Sequence, residues 1–150
     1  MRPILTIAIP TYNRIDKLKL CLNSIISQSN EKIEIIISDN ASTDGTKNYM
    51  ENLYSKNNKI RYYRNDKNLG PDSNFLNCYK KATGEYIMIF GDDDVILPGM
   101  IDNVVGILEK EKPIFMHLNH SDWLMDTLES YTLIKHGKPR LKEEGIKVYV

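Results

Sequence analysis

The sequence predicts an α/β domain with a mainly parallel, Rossmann-like sheet flanked by helices. Short apolar runs alternate with segments whose apolar residues recur every three or four positions, which is typical of strands followed by helices. Two of the apolar runs end in acidic residues, as strands do where an open α/β sheet binds a ligand. A chain of 150 residues with 41% hydrophobic content is long enough to bury the core of a single domain.

The first half of the chain predicts two strand–helix pairs and a third strand. The strand Leu5–Ile9 is expected to stop at Pro10, because proline lacks the backbone N–H of a ladder. The second strand is Ile33–Ser38 and the third is Ile60–Arg64. The first helix buries a stripe formed by Leu18, Cys21, Leu22, Ile25 and Ile26. The second runs through Tyr49, Met50, Leu53 and Tyr54, with Thr43, Asp44 and Thr46 as candidate caps.

The second half continues the alternation. A third helix, ending at Thr83-Gly84, is expected to turn Phe75, Leu76, Cys78 and Tyr79 inward. Tyr86–Phe90 predicts a strand buried on both faces. A fourth helix runs to about Lys112 with an apolar stripe of Ile101, Val104, Val105 and Leu108. Ile114–Leu118 predicts a fifth strand; a short helix around Trp123, Leu124 and Leu128 and a terminal strand from Ile146 to Val150 follow.

Composition excludes several classes of function. Twenty basic and twenty acidic residues cancel, so no global field attracts nucleic acid or an anionic membrane. No apolar run approaches the roughly 20 residues of a membrane-spanning helix, and the N-terminus lacks the pattern of a secretion signal. Cys21 and Cys78 form no Cys-x-x-Cys pair, which favours reduced core thiols. We expect a cytoplasmic protein.

Three consecutive carboxylates, Asp92, Asp93 and Asp94, follow the fourth predicted strand. Adjacent carboxylates repel one another unless a cation neutralises them or water solvates them. Hard oxygen ligands favour Mg²⁺ or Mn²⁺, so the cluster is a candidate metal site. The alternative is a solvated acidic turn before a helix that starts at Pro98. The three histidines, His117, His120 and His136, have no recognised metal-binding spacing.

Phosphate binding by backbone amides is not supported, because the first strand is followed by no glycine-rich loop and the chain has no Walker motif. A metal would then hold the phosphates, while polar side chains after the first two strands hold a nucleoside. Those candidates are Thr11, Tyr12, Asn13, Asp39 and Asn40. Each also has a structural interpretation: Asn13 as a helix cap, Tyr12 as packing on the sheet, Asp39 as part of an Asx-turn. Lys67 and Arg64 are candidates for phosphate contact, but we interpret them as solvated loop cations, as exposed loop cations usually are.

Taken together, these motifs resemble the N-terminal half of a family 2 glycosyltransferase. The matching segments, in family order and spacing, are Ile7–Arg14, Glu34–Thr46, Asn68–Gly70, Gly84–Ile87, Asp92–Asp94 and Leu97–Gly99. The resemblance implies a GT-A-like fold and inverting transfer of a sugar from a nucleotide-diphospho-sugar. It further implies a glycan or lipid-linked acceptor and allows peripheral association with a membrane. It divides the chain into a nucleotide-sugar-binding core, 1–118, and the start of an acceptor-side region or truncated tail, 119–150.

The resemblance also assigns residues. The loop Pro10, Thr11, Tyr12, Asn13 and Arg14 would bind the base and ribose together with Asp39 and Asn40. Asp92 and Asp93 stand where a DxD-type motif binds ribose and metal, with Asp94 beside them. Because Gly91 replaces the first acid of the common Asp-x-Asp-Asp form, we expect Asp93 to be the direct metal ligand.

The catalytic base is expected in the acceptor-binding half of such enzymes, beyond the matched region. Asp122, Asp126 and Glu129 are candidates by residue type only. A second hypothesis is a catalytically inactive GT-A domain that acts as a nucleotide-binding or interaction module. A third, a metal-dependent phosphotransfer or receiver-like domain, is disfavoured because its acids flank the first strand, which here ends in Pro-Thr-Tyr-Asn.

Overall fold

The structure, a computed structural model, describes residues 2–55, 57–118 and 146–149. It has two compact units, Met1–Glu109 and Lys110–Val150. The strands are β1 (Leu5–Thr11), β2 (Ile33–Asp39), β3 (Ile60–Arg64), β4 (Tyr86–Ile89), β5 (Phe115–Leu118) and β6 (Ile146–Tyr149). The helices are α1 (Ile15–Ile26), α2 (Thr46–Tyr54), α3 (Pro71–Lys81) and α4 (Met100–Glu111).

The first unit is built on a four-stranded parallel sheet with strand order β3-β2-β1-β4. Parallel strands end at the same edge, which we call the carboxyl edge: the last residues of β1 to β4 and the loops that follow them. β1 and β2 are buried almost throughout, as their continuous apolar runs predict. The predicted α/β class with a mainly parallel sheet is confirmed.

β1 is longer than its sequence predicts, since it continues through Pro10 to Thr11. The amide of Asn40 donates to the Thr11 carbonyl, so the backbone groups of Thr11 face β2 and those of Pro10 face the other side. On that side the ladder with β4 ends at the pair Ala8 and Ile89. Pro10 therefore sits where its missing N–H costs no ladder hydrogen bond.

The helices cover both faces of the sheet. Crossovers between parallel strands are right-handed as a rule, and with this strand order the rule places α1 and α2 on one face and α3, which returns from β3 to β4, on the other. Side-chain contacts also join α4 to the loop after α1: Asn30 bonds Asp102 at 2.9 Å and Lys32 pairs with Glu109 at 2.8 Å. The buried stripes of α1 and α4 are those that the periodicity predicts, apart from the half-buried Ile26. Both cysteines are buried and free, as predicted.

Two packing predictions are wrong. α3 turns Asn74 and Cys78 inward, whereas Phe75, Leu76 and Tyr79 are exposed, because Asn74 bonds the backbone and side chain of Ser38 across the sheet. The residues of β4 are only half-buried rather than buried on both faces. In the described part of the chain β4 pairs with one neighbour alone, at the end of the strand order.

Several element ends also differ from prediction. α3 ends at Lys81, before Gly84, and α4 begins at Met100 rather than at Pro98. Gly84 is required for a different reason than a cap: a Cβ there would lie 2.6 Å from the Thr6 hydroxyl oxygen and 2.7 Å from its backbone nitrogen. Gly45, in a left-handed conformation, is the residue that precedes α2. Of the three proposed caps, Thr43, Asp44 and Thr46, it is Asp44 whose Oδ1 accepts from the Thr46 amide, at 3.2 Å.

In the second unit, β5 and β6 form an antiparallel pair, which confirms the fifth strand and the terminal strand. The short helix predicted around Trp123 lies outside the described residues. The functional boundary between 118 and 119 stays a prediction. None of the helices in the described part of the chain is long and apolar enough to cross a membrane.

Candidate functional site at the carboxyl edge

The predicted site residues lie along one edge of the sheet. Thr11 and Asp39 are ladder partners at the ends of β1 and β2. The Thr11 hydroxyl also donates to Asp92 Oδ2 at 2.8 Å, across to the turn after β4. Asp39 and the acidic turn therefore share the carboxyl edge, as the alternation of strands and helices predicts. Pro10 precedes them within β1.

Asp92 and Asp93 direct one oxygen each toward the same position. Arg14 NH1 lies 3.1 Å from Asp92 Oδ1 and 3.0 Å from Asp93 Oδ2, and Lys17 Nζ lies 3.6 Å from the same Asp93 oxygen. The Asp92 side chain is 7% exposed and that of Asp93 46%. Burial raises the pKa of Asp92, although the Thr11 hydrogen bond and the Arg14 charge oppose the increase. Asp92 is thus a buried, fixed carboxylate and Asp93 an accessible one.

Asp94 has a different orientation. Its amide donates to the Gly91 carbonyl, and its carboxylate lies against Gly91, where a Cβ would be 2.6 Å from Asp94 Oδ2. Any side chain in place of Gly91 would displace that carboxylate. The glycine that replaces an acid of the common motif therefore leaves the space into which Asp94 folds.

The pair formed by Asp92 and Asp93 fits a divalent ion that is shared with a ligand. Among residues 2–55, 57–118 and 146–149, no group of three or more His, Cys, Asp or Glu side chains is arranged to hold a metal alone. Mg²⁺ is commonly bound by one or two carboxylates, with phosphate oxygens and water completing its shell. Asp92 and Asp93 can supply two such carboxylate oxygens at an open edge, where phosphate and water have access. The described residues do not supply a complete metal shell made of protein ligands alone.

Asp39 occupies a separate part of the edge. Its side chain is fully buried and accepts hydrogen bonds from Ser42 N at 2.8 Å, Tyr62 Oη at 2.6 Å and Arg64 NH1 at 2.9 Å. The bond to Ser42 is the local turn that the structural interpretation of Asp39 anticipates. The interpretation of Arg64 as a solvated loop cation is wrong, because it neutralises this buried carboxylate. The Asp39 bond also raises the pKa of Tyr62, after burial, which has the largest effect.

Asn40 connects the loop after β2 to the segment before α3. Its side chain donates to Asn68 Oδ1 at 2.8 Å and to the Gly70 carbonyl at 3.1 Å, and it accepts from the Leu69 amide at 2.9 Å. A cleft of about 300 Å³ lies beside this segment and is lined by Arg64, Asn65, Asp66, Lys67 and Leu69. Asn40 thus acts here as a buried support of the loop that borders the cleft.

The loops after β1 and β2 are joined by Asn13, which has a left-handed backbone (φ 52°). Its amide donates to Ser42 Oγ at 2.9 Å, and its side-chain oxygen accepts from the Thr43 amide at 2.7 Å. It makes no capping bond to α1. Tyr12 is 43% exposed, so its ring is accessible at the edge rather than packed beneath it.

Asp44, a predicted cap of α2, accepts from the Thr46 hydroxyl at 2.7 Å and also from the Ile15 amide at 2.8 Å, so it fixes the starts of two helices. Sequence reasoning did not anticipate the bond to Ile15, and it missed other residues that shape the edge. Lys17 and Tyr62 were not identified as neighbours of the acids. Tyr62 and Arg64 are two residues apart and so lie on the same face of β3, and Arg64 is the ladder partner of Asp39. The sequence spacing of Tyr62 and Arg64 points to Asp39 only once β3 is known to lie beside β2.

Comparisons with a family model and with individual relatives point to the same family. The family described as Glycosyl transferase family 2 matches residues 6–144. The abequosyltransferase RfbV of Salmonella typhimurium is 42% identical over 116 residues, covering 75% of this chain and 35% of that protein. A Campylobacter jejuni protein named GalNAc(5)-diNAcBac-PP-undecaprenol beta-1,3-glucosyltransferase is 35% identical over 104 residues, covering 69% of this chain and 34% of that protein. The chain thus spans about a third of the length of these relatives.

Solved structures share the fold at lower identity. The mannosyltransferase PcManGT of Pyrobaculum calidifontis, in complex with GDP-Man and Mn²⁺, has a TM-score of 0.68 at 22% identity, covering 81% of this chain and 36% of that one. TarS 1–349 of S. aureus, in complex with UDP-GlcNAc, has a TM-score of 0.70 at 23% identity, covering 81% and 35%. These structures confirm the GT-A-like architecture of the four-stranded parallel sheet.

Proposed function

Because the chain belongs to glycosyl transferase family 2, we propose that it supplies the donor- and metal-binding part of an inverting sugar transferase. The donor is a nucleotide-diphospho-sugar and the acceptor a hydroxyl group of a glycan or lipid-linked glycan. The observation that carries the proposal is the convergence of Asp92 Oδ1 and Asp93 Oδ2 on one cation position. A neighbour of the same fold holds GDP-Man and Mn²⁺, and another UDP-GlcNAc, which supports a nucleotide-sugar and Mn²⁺ or Mg²⁺ here.

Different residues of the carboxyl edge are proposed to bind the metal and the base of the donor. Asp93, exposed and convergent with Asp92, would hold the divalent ion, and Thr11 keeps Asp92 in place. Tyr12 offers an accessible ring for the base, beside the loop that Asn13 and Asn40 fix. When bound, the ion would act as a Lewis acid that stabilises the negative charge gained by the leaving diphosphate.

Transfer breaks the bond between the anomeric carbon and the diphosphate, whose oxygen keeps the electron pair. The acceptor oxygen forms a bond to the opposite face of that carbon and loses its proton to a general base. Asp122, Asp126 and Glu129 lie outside the described residues, and the base is expected on the acceptor side. This chain alone is therefore proposed to bind the donor, with transfer depending on the acceptor-side region.

The test is thermal unfolding of the chain with UDP, GDP or dTDP in the presence of Mn²⁺. We expect one nucleoside diphosphate to raise the melting temperature, because a ligand that binds only the native state stabilises it by mass action. Asp93→Ala should abolish that increase while its circular dichroism spectrum stays native.

The matched control is Asp16→Ala, which removes an exposed acid that pairs locally with Lys19. It should leave the nucleotide-dependent increase intact. Absence of any increase with all three nucleotides would refute the donor-site proposal. An increase that persists in Asp93→Ala would refute the metal assignment, and Mn²⁺ binding by the unaltered chain would argue against an inactive scaffold.

A further inference from the structure

The position between Asp92 and Asp93 is filled by a cation that belongs to the protein. A single nitrogen of Arg14 lies within 3.1 Å of one oxygen from each carboxylate. A divalent ion bound to the same two oxygens would lie within a few ångströms of that nitrogen. The guanidinium and the ion therefore compete for the same two oxygens and repel each other by like charge.

The carboxylates that Arg14 and Lys17 contact are neutralised before any ligand arrives. Asp92 and Asp93 contribute two negative charges and the two cations contribute two positive charges, while the adjacent Asp94 adds one further negative charge. Thr11 donates to Asp92 Oδ2, whereas Arg14 contacts Oδ1. Asp92 is almost completely buried, so water screens its pairing with Arg14 less than it screens a surface pair.

We propose that Arg14, assisted by Lys17, is an internal counter-cation that competes with the divalent ion and is exchanged for it when the donor binds. This inference rests on the proposed function, because the metal is that of the donor site. Arg14 is half-exposed, at 49%, so its side chain has room to leave the carboxylates. The diphosphate of an incoming donor supplies the negative charge that a released guanidinium would pair with. Arg14 is thus a positioning residue that links metal binding to donor binding.

The change in Mn²⁺ affinity when Arg14 is removed distinguishes a competing cation from a residue that only supports the fold. If Arg14 merely held the acidic turn in shape, its removal would weaken Mn²⁺ binding. If it competes, removal strengthens Mn²⁺ binding. The measurement is titration of the 150-residue chain with Mn²⁺ in the absence of nucleotide, with free Mn²⁺ followed by its electron paramagnetic resonance signal.

We expect Arg14→Met to tighten Mn²⁺ binding roughly tenfold or more, since a charge-assisted pair of this kind would otherwise have to be broken. Lys17→Met should act in the same direction with a smaller effect, because its nitrogen contacts Asp93 only, at 3.6 Å. Arg14→Lys, which retains the charge, should stay close to the unaltered chain. Lys19→Met, the matched control, removes a cation paired with Asp16 and should change nothing.

Addition of UDP or GDP provides the second readout. The nucleotide should tighten Mn²⁺ binding more in the unaltered chain than in Arg14→Met, because only the former has a guanidinium to transfer to the diphosphate. Unchanged or weaker Mn²⁺ binding in Arg14→Met, beside a nucleotide-dependent Mn²⁺ site in the unaltered chain, would overturn this inference alone. Absence of Mn²⁺ binding in every variant, with and without nucleotide, would overturn the proposed function and this inference together.

Discussion

Glu34 shows how a single buried charge organises the end of the sheet opposite to the site. Its carboxylate accepts hydrogen bonds from Thr6 Oγ1 at 2.6 Å, the Thr83 amide at 2.6 Å and Arg61 NH1 at 3.0 Å. These contacts join β1, β2, β3 and the segment that enters β4. Burial raises the pKa of Glu34, but the hydrogen bonds lower it by more, so the net shift is downward. The ionised form is therefore part of the native structure.

The stability of the chain should depend on the ionisation of Glu34. Because its native pKa lies below the unfolded value of about 4.3, its contribution is complete above that value and is lost as the pH falls through the native pKa. Glu34→Gln should lower the free energy of unfolding at pH 7 by about 1–3 kcal/mol, as one partner of buried charge-assisted bonds is lost. It should also flatten the decline of stability in acid.

Urea unfolding at several pH values measures both effects. The control is Glu85→Gln, an exposed acid near the same loop, which should change the unfolding free energy by less than about 0.5 kcal/mol. An acid decline of equal slope in Glu34→Gln and the unaltered chain would contradict the role assigned to this carboxylate.

At the scale of elements, periodicity is a good guide where an apolar face packs on the sheet and a poor one where a polar network does. The buried residues of α1 and α4 are all apolar and belong to the predicted stripes. In α3, Cys78 is buried as predicted, but the predicted Phe75, Leu76 and Tyr79 are exposed. Asn74 faces inward instead, because it bonds Ser38 O at 2.8 Å and Ser38 Oγ at 2.7 Å. No local pattern reveals that partner, which is 36 residues away in sequence.

In the candidate site too, local patterns predict where a residue lies but not its distant polar partners. The acids were found because they stand at strand ends, and their common edge follows from parallel strands. The contacts of Arg14 with Asp92 and Asp93 span 78 and 79 residues, so the sequence places these groups near one edge but does not reveal that they bond. Similarly, the neutralisation of Asp39 by Arg64 requires the pairing of β2 with β3, which no local motif encodes.

Two substitutions in α3 test which of its faces stabilises the sheet. Asn74→Leu keeps a similar volume but leaves the carbonyl and hydroxyl of Ser38 without their partner, and should cost about 1–3 kcal/mol. Phe75→Ala, one position away on the exposed face, should cost less than about 1 kcal/mol. Urea unfolding of the two variants compares them directly. A larger loss of unfolding free energy in Phe75→Ala than in Asn74→Leu would show that the face of α3 with Phe75 packs on the sheet.

For the whole molecule, the decisive fact is that the sheet, its buried core and the carboxyl edge all belong to the first compact unit. Among residues 2–55, 57–116 and 118, the buried hydrophobic core residues lie between Leu5 and Leu108, and the first unit ends at Glu109. The proposed metal ligands and the side chains that surround Asp39 also lie within it. Under the proposed function, we therefore expect donor binding to depend on this unit and transfer to depend on residues that contact the acceptor.

A chain ended after Lys112, which keeps α4 complete, should fold cooperatively and bind a donor nucleotide as the 150-residue chain does. About 110 residues with a contiguous core suffice for an independent domain. Calorimetry should show one unfolding transition, and the increase in melting temperature caused by Mn²⁺ and a nucleoside diphosphate should match that of the longer chain. A chain ended after Lys81 is the control, because it lacks β4 and with it Asp92 and Asp93, so it should lose both properties. If the shorter chain folds yet loses nucleotide binding, residues after Lys112 belong to the donor site; if it does not fold, the second unit contributes to the stability of the first.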